Sequence, residues 1–155
     1  MNTWRFNDVP FLLESYTKDY VGFVYMITDN VTKKYYIGQK LFYKTKTRPP
    51  LKGKKRKRKE VIESDWKTYC GSSRNLLEDI EKGDINNFDR IILFLCETKS
   101  SMNYVELLYQ IYSGSLFDKN CYNGIVNVRI GKSAINARPS EVERIQKLQI
   151  LMKGL

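Results

Sequence analysis

Gly22-Phe23-Val24-Tyr25-Met26-Ile27 and, after a polar turn, Tyr35-Tyr36-Ile37-Gly38-Gln39-Lys40 are the stretches that decide the fold. Both are rich in aromatic and β-branched residues, the composition of strands. Thr28-Asp29-Asn30-Val31-Thr32 between them has the polar character of a hairpin loop. Such a hairpin presents two phenols side by side, next to a glycine that lets a ligand or another chain segment approach closely. An aromatic hairpin packed on a core has the same pattern, so the hairpin alone leaves both readings open.

The rest of the chain places limits on the answer. At 155 residues it is one domain's worth, and 42% hydrophobic with 13% aromatic residues argues for a packed core over disorder. Cys70, Cys96 and Cys121 are odd in number and widely spaced, which speaks against a disulfide framework. There is no histidine, so histidine-metal nucleases, Ser-His hydrolases and Cys2His2 zinc sites are excluded together. Arg5, Asn7, Asp8 and Glu14 interrupt any N-terminal apolar run, and no stretch is long enough to span a membrane. A reducing cytoplasm is the simplest compartment.

Net charge is +10, and its location is more informative than its size. Between Lys44 and Lys59 there are ten basic residues and no acid, so the other 17 basic groups balance all 17 acids. The segment includes Lys44, Lys46, Arg48, Lys52, Lys54, Lys55, Arg56, Lys57, Arg58 and Lys59. Like charge at this density cannot fold against itself, so a mobile loop or an extended hairpin is expected. Contact with nucleic-acid phosphates is the functional reading, and a solvated loop or a localisation signal the plain one.

Further elements follow by pattern. Trp4, Phe6, Phe11, Leu12 and Leu13 are expected to cover one edge of the core. Gly71-Ser72-Ser73 supplies a turn and N-cap for a helix from about Arg74 to Lys82, closed by Gly83. Arg90 to Cys96 is a continuous apolar run, read as a buried central strand. A helix from about Met102 to Tyr112 follows, with Tyr104, Val105, Leu108, Ile111 and Tyr112 as its buried stripe. Glu106 falls off that stripe beside Asn103 and Gln110, where a glutamate is commonly just a solvated residue. Ile125-Val126-Asn127-Val128 is strand-like. Pro139 to Leu155 reads as an amphipathic helix carrying Val142, Ile145, Leu148 and Met152. Its role is open between docking on the domain, a homodimer contact, and a lead into a further DNA-binding module.

Val24-Tyr25-Met26-Ile27 followed by Tyr36-Ile37-Gly38 resembles the signature of the GIY-YIG nuclease family. Phe23 stands where that family has its glycine, and Gly22 lies one place early. Gly71-Ser72-Ser73, Asn87-Phe88, Arg90 to Leu93, Glu106 and Tyr122-Asn123 follow the same family in order, so the likeness runs from about Tyr20 to Arg129. It implies an α/β (α+β) fold, a small antiparallel three-stranded sheet flanked by helices, with the basic insertion (44–59) after the second strand. The nuclease domain would be 20–129, with an N-terminal extension (1–19) and a C-terminal tail (130–155). The implied activity is cleavage of DNA phosphodiesters with Mg²⁺ or Mn²⁺, and Ser64 to Ser72 with the insertion looks like small standalone, homing-type bacteriophage members.

The resemblance also implies roles. Tyr25 would activate water, Tyr36 would be its partner, Glu106 would hold the metal, and Asn123 would position the phosphate or the carboxylate. A free tyrosine titrates near 10, so this chemistry at neutral pH asks for nearby cations, which Lys40 and the insertion can provide. For the arginine that stabilises the phosphate, Arg48 is nearest by spacing, and Arg74 is nearest if the insertion loops out; Arg48 is the first choice. Arg74 and the lysines and arginines of the insertion would bind DNA, and Tyr69 is either a further phenol of the site or a packing partner of Trp66. The competing reading is a DNA- or RNA-binding module that keeps the fold without cutting. A ribosomal-type basic protein fits the charge but leaves the ordered motifs unexplained.

Overall fold

Asn7 and Asp8 both adopt left-handed backbone, with φ of 50° and 64°. Two such residues in succession make the tight hairpin turn whose twist matches its flanking strands. They join β1 (Arg5–Phe6) to β2 (Val9–Pro10). The computed structural model describes residues 2–16, 19–126, 128–136 and 138–154. Thr17 and Lys18 of the expected N-terminal extension, Asn127 of the expected strand and Leu155 of the expected tail helix lie outside the described residues.

The two tyrosine segments form the expected hairpin, β3 (Gly22–Asp29) and β4 (Tyr35–Leu41), with Tyr25 opposite Gly38 and Ile27 opposite Tyr36. Asp29 holds its turn by accepting from the Val31 N–H at 2.9 Å and the Thr32 hydroxyl at 2.6 Å. Next come β5 (Tyr43–Arg48) and β6 (Arg58–Glu63), a separate two-stranded ladder. The basic insertion is therefore an extended hairpin, and every basic side chain in it is exposed. α1 (Arg74–Lys82) starts at Ser73, whose hydroxyl accepts from the Leu76 N–H, and ends at Gly83. β7 (Phe88–Cys96) and α2 (Lys99–Tyr112) follow, then the short α3 (Lys132–Ile135) and α4 (Pro139–Lys153).

The main sheet has five strands in the order β2-β1-β7-β3-β4, which corrects the expected three. The antiparallel trio β7-β3-β4 is present at its centre. β1 extends it by pairing with β7 in parallel, because Trp4 and Phe11 must be buried and so bring the N-terminal hairpin against that strand. Both faces of β3 are covered, which is why it reads as an almost unbroken apolar run. Phe23, Tyr25 and Ile27 pack with Trp4, Phe11, Phe42, Trp66 and Leu76. Val24 packs on the other side with Ile37, Met102, Val105 and Ile145. Phe23 is fully buried against Trp4, Phe42 and Trp66, so the residue in the place of the family's glycine is a core aromatic here.

Four expected details differ. α2 starts three residues before Met102, because Thr98 and Ser101 form a reciprocal capping box there. Its buried residues are Ser101, Met102, Val105 and Gln110, while Ile111 and Tyr112 are exposed. Gln110 takes the inner position because its amide donates to the Ile37 carbonyl of β4. Leu12 is exposed instead of packed on the core edge. Ile125, Val126 and Val128 form no strand, and Ile125 is 78% exposed.

α4 docks on the domain. Glu141, fully buried, accepts from the Glu97 N–H and the Ser101 hydroxyl, while Arg144 donates to the Leu95 carbonyl at 2.6 Å. Among the described residues no helix is long and apolar enough to cross a membrane.

The N-terminal hairpin is expected to be integral to stability. Trp4→Ala removes a side chain only 1% exposed, together with its hydrogen bond to the Trp66 carbonyl. Urea denaturation should show a loss of about 3–5 kcal/mol. A change below about 1 kcal/mol would mean that residues 2–16 are an appendage.

Candidate active site

Gly38 sits at the centre of the site because of what it lacks. A β-carbon there would lie 2.5 Å from the Tyr25 hydroxyl and 2.7 Å from the Tyr36 ring. The absent side chain lets the two phenols converge, their rings 6.1 Å apart. Tyr69 meets Tyr25 edge-on, also at 6.1 Å, and hydrogen-bonds to it. The Tyr36 hydroxyl pairs with Ser72 Oγ at 2.9 Å, at the turn leading into α1.

β4 is the edge strand, so groups from both faces of the sheet can meet around it. On the α2 face lie Gln39, Asn103, Glu106 and Gln110. Gln39 donates to Asn103 Oδ1 at 2.8 Å, and Gln110 donates to Glu106 Oε1 at 3.3 Å. A cavity of about 90 Å³ opens beside Glu106, lined by Asn103, Gln110, Val126 and Val128 among others. Asn123 grips β4 itself: its Oδ1 accepts from the Ile37 N–H at 2.8 Å and its Nδ2 donates to the Ile37 carbonyl at 2.7 Å. Both ends of that amide are engaged by strand backbone, so Asn123 fixes the strand that carries Tyr36 and Gly38.

Burial governs the protonation of the site. It pushes the Tyr25 phenol well above 10, and the neighbouring Tyr36, Tyr69 and Glu106 push it further. Tyr36 is also raised by burial, against its bond to Ser72. Burial raises Glu106 to about 7, opposed by its hydrogen bond from Gln39. The expectation that Lys40 and the insertion favour a phenolate is corrected here. Lys40 Nζ is held 2.9 Å from Asp65 and 3.4 Å above the Tyr69 ring, so its charge is already balanced, and the insertion projects from the sheet as its own hairpin. In the free protein Tyr25 is a neutral phenol.

The structure thus brings Tyr25, Tyr36 and Tyr69 together, with Lys40 over the Tyr69 ring, and sets Glu106 on the α2 face, where its charge raises the cost of ionising Tyr25 and Tyr36. It does not bring Arg48 to them. Arg48 pairs with Glu60 at 2.6 Å inside the β5–β6 ladder. Arg74 lies two residues beyond Ser72, with its guanidinium 91% exposed and 3.1 Å from Glu78. Arg90 is buried and donates to the carbonyls of Asn2, Lys67 and Tyr69, a staple that fixes Tyr69.

A family model, "Putative endonuclease segE, GIY-YIG domain" (SegE_GIY-YIG), matches residues 4–126. This chain belongs to the GIY-YIG endonuclease family. Comparison with the curated proteins and with the solved structures finds no match. The match covers both tyrosine strands, α2 with Glu106, and Asn123, and it begins at Trp4, within the segment that adds β1 and β2.

GIY-YIG nucleases use divalent metals, and the donors here fit a hard cation. Glu106 offers a carboxylate, and the neighbouring Gln39 has a buried amide oxygen with no hydrogen-bond partner. No group of three histidine, cysteine or acidic residues is clustered among the described residues. A cation held by one carboxylate, with water and substrate phosphate completing its shell, is how Mg²⁺ is commonly bound. Of the residues around this GIY-YIG site, sequence reading missed the working parts played by Gln39 and Ser72. Gln39 directly follows the second motif and Ser72 directly follows Gly71, but neither spacing says where the side chain points.

Glu106 makes a pH-dependent contribution to stability. Folding raises its pKa from an ordinary 4.5 to about 7, so the folded protein binds the proton more tightly. The carboxyl is therefore neutral and harmless below about pH 4.5, and its stability is lost as pH rises through about 7. Glu106→Gln should accordingly gain on the wild type between pH 5 and pH 8 in metal-free urea denaturation. Mg²⁺ should stabilise the wild type alone. A pH-independent difference between the two proteins would remove the buried carboxylate from this account.

Proposed function

We propose that this chain is a divalent-metal-dependent DNA endonuclease, of the homing or genome-targeting type found among small bacteriophage proteins and acting in the cytoplasm of a bacterial host. The observation that supports it most is the convergence of the Tyr25 and Tyr36 phenols over Gly38, with the Glu106 carboxylate near enough to raise the cost of ionising both. On this reading residues 20–129 are the nuclease domain, 1–19 and 130–155 its accessory segments, and 44–59 a DNA-binding arm.

Hydrolysis forms a bond from water oxygen to phosphorus and breaks the bond to the leaving oxygen, which takes up a proton. Glu106 would hold Mg²⁺ or Mn²⁺, which supplies charge stabilisation at the phosphate and acidifies water. Tyr25, neutral and held by Tyr69, orients the attacking water through its hydroxyl. Tyr36, fixed by Ser72, frames the other side of the same water. Lys40 keeps Tyr69 in place. Arg74, at the mouth beside Ser72, is the better-placed guanidinium for the phosphate, ahead of Arg48. Asn123 acts at one remove, by positioning β4.

A non-catalytic DNA-binding reading is favoured by one observation: neither Arg48 nor Arg74 reaches the two phenols, since each pairs with a glutamate away from them, and Arg90 spends its donors on backbone carbonyls. Supercoiled plasmid with Mg²⁺, and with EDTA as control, separates the two. The endonuclease reading expects Mg²⁺-dependent nicking or linearisation. Glu106→Gln should slow it roughly a thousandfold, the equivalent of several kcal/mol of metal stabilisation, while leaving DNA binding nearly intact. Tyr25→Phe should abolish it with an unchanged circular dichroism spectrum. Near wild-type cutting by either variant would sink that residue's assignment.

The arm can be tested by binding alone. Each phosphate contact steepens the fall of log affinity with log salt by about 0.9. Replacing Lys54, Lys55, Arg56, Lys57, Arg58 and Lys59 by serine should flatten that slope by several units and weaken binding to all sequences alike. An unchanged slope would make the arm a solvated hairpin.

A further inference from the structure

A groove of about 410 Å³ wraps the edge of β4 between the base of the basic arm and the first turns of α2. Lys40, Lys44, Lys99, Gln39 and Asn103 line it, and Asp65 is the only acid that does. Asp65 is already matched by Lys40 at 2.9 Å. Lys44 and Lys99 make no ion pair among the described residues, so three lysines against one acid leave the groove a net charge of about +2. Its two ends are chemically different. Lys44 is on the second residue of β5, the first charged position of the arm. Asn103 is bonded through Gln39 to the neighbourhood of Glu106.

Lys99, Asn103, Glu106 and Gln110 recur at intervals of four, three and four, which puts them on one side of α2. At 1.5 Å per residue, Lys99 is about 10 Å along the helix from Glu106. Successive phosphates of one strand are about 3.4 Å apart along the duplex axis and farther apart along the backbone, so that distance spans at most roughly three phosphates. We infer that this groove is a phosphate subsite in which Lys44 and Lys99 hold the backbone of the cut strand within about three nucleotides of the bond at Glu106. It carries the strand from the arm to the site. The inference deepens the endonuclease reading and rests on it for the position of the bond.

Duplex binding without metal tests the subsite, with plasmid cutting in Mg²⁺ measured in parallel. Both lysines are exposed, so Lys99→Gln and the double variant Lys44→Gln/Lys99→Gln should melt like the wild type. The salt slope is expected to flatten by about 0.9 in the single variant and about twice that in the double. Lys153→Gln, at the far end of α4, should leave it unchanged. A wild-type slope in the double variant, or equal flattening by Lys153→Gln, overturns the subsite. Plasmid cutting with an unaltered slope would then leave the nuclease standing without this groove. Flattening without any cutting would keep the groove as a phosphate site and remove the endonuclease reading instead.

Discussion

The site depends on one steric constraint: the Tyr25 hydroxyl occupies the space that a side chain at position 38 would need. With a β-carbon 2.5 Å from that oxygen, either the phenol or the strand would have to move. Glycine costs strand stability, since it contributes no packing and loses more backbone freedom on ordering. It is tolerated because β4 is secured otherwise, by its ladder with β3 and by Asn123 clasping the Ile37 peptide on the open edge. A second glycine, Gly22, works the same way at the start of β3, where a β-carbon would meet Met102 Sδ at 2.9 Å and the backbone of β4. That is why glycine stands one residue before the family's usual place, while Phe23 fills the core.

Burial then sets the chemistry. Tyr25, Tyr36 and Glu106 are each harder to ionise because they are buried, and Tyr69 and Glu106 add to that cost at both Tyr25 and Tyr36. The Tyr25 and Tyr36 phenols hold their protons at neutral pH, while Glu106 is raised to about 7. A cation held at Glu106 would favour its ionised form, because positive charge would then face the carboxylate. Lys40, committed to Asp65 and to the Tyr69 ring, shapes the pocket without acidifying it.

Positive charge is laid out differently. Nearly all the excess is on a hairpin separate from the main sheet, where a run of like charges costs the fold nothing in packing. Only the groove at its base brings that charge to the edge of β4. The buried centre and the exposed basic arm thus stand in opposite surroundings: one is shielded from water, and the other lies wholly in it.

The sequence by itself determined the elements whose signals are local. The tyrosine hairpin, the Ser73 cap with its helix, the strand ending at Cys96 and the isolated basic segment follow from propensity, capping and charge, which neighbours along the chain decide. The N-terminal hairpin was legible in principle from Asn7-Asp8, but its two-residue strands are too short to show a period. Only the tertiary structure decided which face of α2 is buried, because Gln110 turns inward to a carbonyl on a strand 73 residues away in sequence. It alone removed Arg48 from the site, turned Asn123 from the phosphate to the backbone of β4, and added two strands to the sheet. It also decided that Tyr25 is neutral, since a phenol's pKa is set by how completely water is excluded around it, and that depends on Trp4, Tyr36 and Tyr69 arriving from distant parts of the chain.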